Sequence, residues 1–143
     1  LSKRLSAVAD YLLDTNILIL ALRSDPKALD FLDALERKKE RACVSVVTRT
    51  ELLAGMRPHE EQRTMALLDS LTNLPVSEAI ADCAGRLIYQ YARRGIQLSF
   101  ADALIAATAL EHDLTLATTN PKHFPMPEHQ LRPLDVERGG GVL

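Results

Sequence analysis

Short apolar runs alternate with stretches of helical periodicity along this chain. Tyr11-Leu12-Leu13 precedes Ile17 to Leu22, Cys43-Val44-Ser45-Val46-Val47 precedes the segment around Glu51, and Leu114 to Ala117 follows the apolar stretch Ala101 to Leu110. Such alternation reads as a βα series, because parallel strands can be joined only by a crossover long enough to hold a helix. The expected fold is α/β, three layers (α/β/α) with a central, mainly parallel sheet. At 143 residues and 47% hydrophobic, the chain suits one such core and leaves little for a second.

The helices are marked by their ends. Asp25-Pro26 supplies an N-cap and a proline at the first helical position, after which Ala28, Leu29, Leu32 and Leu35 form an apolar stripe ending in Arg37 to Glu40. Pro58 ends the helix of Glu51, and another is expected from about Glu60 to Leu71, burying Met65, Leu68 and Leu71. Leu74-Pro75-Val76 reads as a short strand or edge. Ser77 caps a long helix that carries Ile80, Ala84, Leu87, Ile88 and Tyr91 at helical spacing, with Gly95 past its end. Asn120-Pro121 begins a turn, and Pro125, Pro127 and Gly139-Gly140-Gly141 predict an irregular tail. On these signals residues 1–9 are an N-terminal extension or remnant, 10–134 the folded domain and 135–143 a flexible tail.

Three acids occupy equivalent places in this series. Asp14 closes the first apolar run, Glu51 follows the second, and Asp102 opens the Ala101 to Leu110 helix, so each carboxylate is expected in a helix's first turn. A carboxylate where a buried strand hands over to a helix is costly unless it has a partner there. In an open parallel sheet, ligands gather outside the carboxyl ends of the strands, where acids far apart in sequence can meet. A structural reading stays open for two of them. Thr48-x-x-Glu51 and Ser99-x-x-Asp102 both match the capping box, in which the acid satisfies a backbone N–H at the helix start.

Taken in order, Leu12-Leu13-Asp14-Thr15-Asn16-Ile17-Leu18, Thr48-Arg49-Thr50-Glu51-Leu52-Leu53-Ala54-Gly55 and Phe100-Ala101-Asp102-Ala103-Leu104-Ile105-Ala106-Ala107-Thr108-Ala109, followed by Leu116-Ala117-Thr118-Thr119-Asn120, resemble the PIN-domain family, in particular its VapC-type toxin ribonucleases. The resemblance spans about Tyr11 to Pro133. It implies a PIN-like fold and an endoribonuclease that hydrolyses RNA phosphodiesters with a metal-activated water, leaving a 3′-hydroxyl and a 5′-phosphate. It also implies a homodimer and a small cognate antitoxin whose C-terminal segment blocks the site.

Asp14, Glu51 and Asp102 are then both the catalytic and the metal-binding residues. Hard oxygen ligands select Mg²⁺ or Mn²⁺. Asp14 is expected as the central ligand, Asp102 as the second direct one, and Glu51 as a ligand directly or through a water. Thr15 and Thr118 are expected to orient carboxylates, and Asn16 to fix the loop after Asp14. PIN domains often carry another acid in or just after the segment that here reads Thr118 to Phe124, and this chain has none there. Asn120 is expected to lend a carbonyl oxygen or hold a water, with a second metal site in question. Two competing readings are a catalytically weak PIN-like module that binds RNA or protein, and an aspartyl-phosphate phosphotransferase. The latter is suggested by Leu12-Leu13-Asp14-Thr15 but lacks a second acid at Asn16.

Bulk chemistry sets further bounds. The net charge of -2 is no attraction for RNA, yet setting aside the three site acids leaves 17 basic against 16 acidic residues. Local basic groups are Arg37-Lys38-Lys39 with Arg41, Arg49 with Arg57, and Arg93-Arg94. The first group also suits a helix end, where cations complement the dipole. With three Phe, three Tyr and no Trp, and Phe31 and Tyr91 buried by their spacing, substrate grip is expected from Arg and Lys on phosphates rather than from stacking. Cys43 and Cys83 fit neither a disulfide framework nor a zinc site. His59, His112, His123 and His129 show no metal-ligand pairing, and His123 reads as a surface turn residue. No apolar run approaches the ~20 residues of a membrane span, so a cytoplasmic protein is expected.

Overall fold

The computed structural model describes residues 10–124, 127 and 130–134. The expectations for residues 1–9, for residues 135–143 and for Pro125 and His129 lie outside the described residues. Those described run in the order β1 (Asp10–Leu13), α1 (Thr15–Leu22), α2 (Pro26–Arg37), β2 (Arg41–Ser45), α3 (Val46–Gly55), a 3-10 turn (Pro58–Glu60), α4 (Glu61–Asp69), β3 (Thr72–Leu74), α5 (Glu78–Ala92), α6 (Phe100–Glu111), β4 (Thr115–Thr118), a second 3-10 turn (Pro121–His123) and β5 (Leu131–Pro133).

The strands form one sheet in the order β3-β2-β1-β4-β5, and every pairing is parallel. The chain builds outward from β1 through β2 to β3 and then crosses back to place β4 on the other side of β1. The crevice between the carboxyl ends of β1 and β4 is therefore the switch point of the sheet, the place where parallel α/β folds hold ligands.

Strand periodicity explains why two layers of helices are needed. Leu12, Cys43 and Leu116 face one side, packed with Leu74, Ile105, Ala106, Ala109 and Phe124. Their neighbours Leu13, Val44 and Ala117 face the other, packed with Ile17, Leu18, Phe31, Leu35, Leu52 and Leu68. α6 is buried on nearly every side: Ile105, Ala106 and Ala109 meet the sheet, while Ala103 and Ala107 meet Ile80, Ala84 and Leu98. Small residues on that second face let α5 lie close against it.

Several boundaries differ from the sequence expectation. The second strand ends at Ser45, whose Oγ accepts the Val47 N–H at 3.0 Å, so Val46 and Val47 begin α3 despite their β preference. β3 is Thr72–Leu74, not Leu74 to Val76, because Pro75 has no N–H for the ladder and Asn73 folds its amide back onto the Leu68 and Leu71 carbonyls at 2.8 and 3.0 Å. On α2 the buried face is Ala28, Phe31 and Leu35, with Leu29 exposed. Of the three residues expected to be buried on the helix from Glu60, Leu68 is fully buried and Met65 and Leu71 only partly. The stretch after Pro127 contains β5, an edge strand on β4 in which Pro133 is tolerated. Cys43 lies in the core, and neither cysteine is in a disulfide.

The α5–α6 contact makes the first testable point. Ala107→Leu should overpack it, lowering stability by about 1–3 kcal/mol. A urea midpoint unchanged from wild type would show that this face has room to spare.

Candidate active site

Asp14 is the N-cap of α1, directly after the central strand. Its own N–H continues the ladder to the Ala117 carbonyl at 2.9 Å, which fixes the backbone beside β4. One carboxylate oxygen, Oδ1, accepts the Thr15 N–H at 2.8 Å, and the other, Oδ2, accepts the Thr118 hydroxyl at 2.8 Å. Thr118 Oγ1 in turn accepts the Asn120 N–H at 2.9 Å, tying the loop after β4 to the same carboxylate. Only 6% of Asp14 is exposed.

Glu51 is reached through a second chain of hydroxyls. Thr15 Oγ1 donates to Glu51 Oε1 at 2.5 Å and lies 3.0 Å from Thr48 Oγ1. Since the Thr15 proton is committed to Glu51, Thr48 is the donor of that pair. The capping box expected of Thr48 and Glu51 is not formed. Ser45 caps α3, Thr48 is fully buried inside it, and Glu51 stands in the second turn rather than the first. The other expected box is half formed: Ser99 Oγ accepts the Asp102 N–H at 3.1 Å, which places Asp102 in the first turn of α6.

Burial pushes the Asp14 carboxyl above its ordinary value; the bonds from Thr118 and Thr15 oppose this, while the charges of Asp102 and Glu51 add to it. All three acids thus share one electrostatic neighbourhood. Among the described residues no three carboxylate, imidazole or thiol groups close on a common point as a finished cage, and Glu51 is turned onto Thr15. The donor set nonetheless fits a hard divalent cation. It is made only of oxygens, its central member is buried, and its repulsion is what a cation relieves.

The supporting residues divide. The Thr15 and Thr118 hydroxyls donate to the carboxylates of Glu51 and Asp14. Asn16 is half-buried on α1, and Asn120 contributes its backbone N–H, its side chain not capping the turn that follows. Thr48 was missed, because its spacing to Glu51 looked like a cap. His123 is the exposed turn residue expected, and its Nδ1 also lies 3.9 Å from Asp102 Oδ2. Arg49 is not available as a phosphate contact in the way its sequence cluster suggested, since it donates to Asn73 at 3.0 Å and pairs with Asp69 at 3.4 Å.

A parallel α/β sheet with clustered acids at its switch point defines a class of folds that hold ligands there. A family model described as PIN domain matches residues 11–126. Ribonuclease VapC10 of Mycobacterium tuberculosis is 43% identical over 122 residues, 85% of this chain and 90% of that protein. Among solved structures, VapBC2 from Rickettsia felis, bound to a DNA fragment from its promoter, matches with a TM-score of 0.77 and 26% identity over 88% of this chain and 99% of that one. A toxin–antitoxin complex from Klebsiella pneumoniae matches with 0.73 and 32% identity over 89% and 99%. The chain belongs to the PIN-domain family.

Metal-free Asp14→Asn protein should melt a few degrees above wild type at neutral pH. The sign follows from the raised Asp14 value. The folded protein holds that proton more tightly than the unfolded chain, so stability from this group is present at low pH and lost as pH rises through the folded value. The gain in the variant should therefore shrink toward pH 4. Mn²⁺ should raise the melting temperature of wild type and not of the variant; differential scanning calorimetry with and without chelator reads all three.

Proposed function

We propose that this chain is an endoribonuclease of the VapC type, dependent on Mg²⁺ or Mn²⁺ and acting as the toxin of a toxin–antitoxin pair. The observation that carries this reading is Asp14, a buried carboxylate locked by Thr15 and Thr118 at the switch point of the sheet and repelled by Asp102 and Glu51. Family membership supports nuclease chemistry over an aspartyl-phosphate enzyme.

Asp14 and Asp102 would hold the cation, with Glu51 joining directly or through water. When bound, such an ion supplies Lewis acidity and neutralises charge building on the phosphate. The residues of the chain do the positioning. Thr118 and Thr15 prevent Asp14 from rotating, and Thr15, backed by Thr48, sets the direction of Glu51. Water adds to phosphorus, the O3′–P bond breaks, and the products carry a 3′-hydroxyl and a 5′-phosphate. With three carboxylates in reach, one divalent ion is nearly charge-balanced, whereas two leave excess positive charge until the substrate arrives.

A small antitoxin is the proposed protein partner, in keeping with the toxin–antitoxin complexes among the structural relatives. Beside Glu51 a hollow of about 130 Å³, lined by Ile19, Leu22, Leu52 and Met56 and rimmed by Arg23 and Arg63, suits an apolar segment of such a partner. Residues 10–134 are proposed as the nuclease domain, and the exposed Leu29 of α2 as part of a homodimer face. No described helix is long and apolar enough to cross a membrane. The missing fourth acid favours a second reading, a PIN-like module without turnover.

Cleavage separates the two. Wild type should cut RNA only with added Mg²⁺ or Mn²⁺, and Asp14→Asn should lose at least about a thousandfold in rate, as removal of a ligand to a catalytic ion requires. Wild-type turnover retained in that variant, or none in wild type with either metal, would overturn the assignment. Titration calorimetry with Mn²⁺ should find at most one tight site in wild type and stronger second-site binding in Asn120→Asp. Light scattering should give a dimer mass at high micromolar concentration.

A further inference from the structure

α6 buries its middle, Ala103 and Ile105 to Ala109, yet its first residue, Phe100, is 77% exposed, two positions before Asp102. A large aromatic ring left in water in the same helical turn as Asp102 has no role in the core. The surface continues across the α5–α6 loop. α5 ends at Ala92 and α6 begins at Phe100 after a short connection, and Tyr91 near the end of α5 packs on the cluster that holds Leu98 and Ala103. The carboxyl end of α5 therefore lies at the same end of the molecule as Phe100 and Asp102.

That end carries two guanidinium groups fixed on aromatic rings. Arg93 sits 5.5 Å from the centroid of Tyr89, itself 63% exposed, and donates to its hydroxyl at 3.1 Å; Arg94 sits 5.0 Å from the centroid of Tyr91. No acidic partner within salt-bridge reach is recorded for either arginine among the described residues. The connecting loop is fixed too. Gly95 takes a φ of 79°, and the Ile96 N–H returns to the Tyr91 carbonyl at 2.9 Å, closing α5 with a tight left-handed turn.

We propose that this end of the α5–α6 hairpin is an RNA subsite. Phe100 stacks an unpaired base next to the scissile phosphate, and Arg93 and Arg94 take phosphates farther along the same strand. Stacking needs an exposed ring and tolerates any base, and a guanidinium held flat on an aromatic ring keeps its N–H donors pointing outward for phosphate oxygens. Positive charge at this end favours nucleic acid over a second apolar surface. The subsite adds stacking to the phosphate contacts expected from Arg and Lys, and it rests on the ribonuclease reading above.

The test uses the full chain in chelator, where no cleavage occurs, and a set of eight-nucleotide single-stranded RNAs carrying 2-aminopurine at successive positions. Wild type should bind and quench the fluorophore at one position. Phe100→Ala should lose that quench and about tenfold in affinity, with Phe100→Trp restoring both. Arg93→Ala with Arg94→Ala should weaken binding and flatten its salt dependence by about one to two contacts. With metal, Phe100→Ala should raise KM and leave kcat near wild type. Equal affinity and quench in Phe100→Ala, alongside normal cleavage by wild type, would overturn the subsite and leave the nuclease reading standing. Loss of dimer mass in Phe100→Ala with RNA binding intact would make the ring a protein contact instead. A wild type that neither binds nor cuts RNA would overturn both.

Discussion

The candidate site is organised around the Asp14 carboxyl, held where little water reaches it. Burial alone would drive it to take up a proton. Two oriented donors, the Thr15 amide and the Thr118 hydroxyl, partly offset that cost, and each comes from a different side of the switch point. The carboxylate thereby staples the start of α1 to the end of β4. Asp102 and Glu51 make its charge costlier still, so repulsion among carboxylates is built into the fold at this point.

The rest of the architecture serves that placement. Alternating residues of β1, β2 and β4 fill two cores at once, which holds the carboxyl ends of β1 and β4 side by side. The alanines of α6 let one helix be covered by the sheet and by α5 together, so its first turn is held firmly enough to present Asp102. Glu51 is positioned differently. It lies exposed in the second turn of α3 and takes its direction from Thr15 rather than from a helix end. Two acids are therefore placed by backbone at a strand end and a helix start, and the third is directed by a hydroxyl relay.

Much of this was legible from residue order. Strand-to-helix alternation determined a parallel three-layer fold, because parallel strands require crossovers and both faces of the sheet require cover. Asp14 was identifiable because a carboxylate between two apolar runs has no solvated place to go, and Ser99, Ser77 and Asp25 marked their helix starts because cap chemistry is local. Local signals also misled. Val46 and Val47 read as strand, Thr48 as a cap and the stretch after Pro127 as irregular, since β-branching, spacing and proline content carry no information about which neighbour a segment will meet. What only the tertiary structure decided was long-range: that Thr118 completes Asp14 across 104 residues, that Thr15 and Thr48 hold Glu51, that β5 finds an edge on β4, and that Phe100 at the start of α6 stays in water. Each of these depends on distances set by packing rather than by sequence separation, and a hydroxyl that orients a carboxylate looks, in one dimension, like any other threonine.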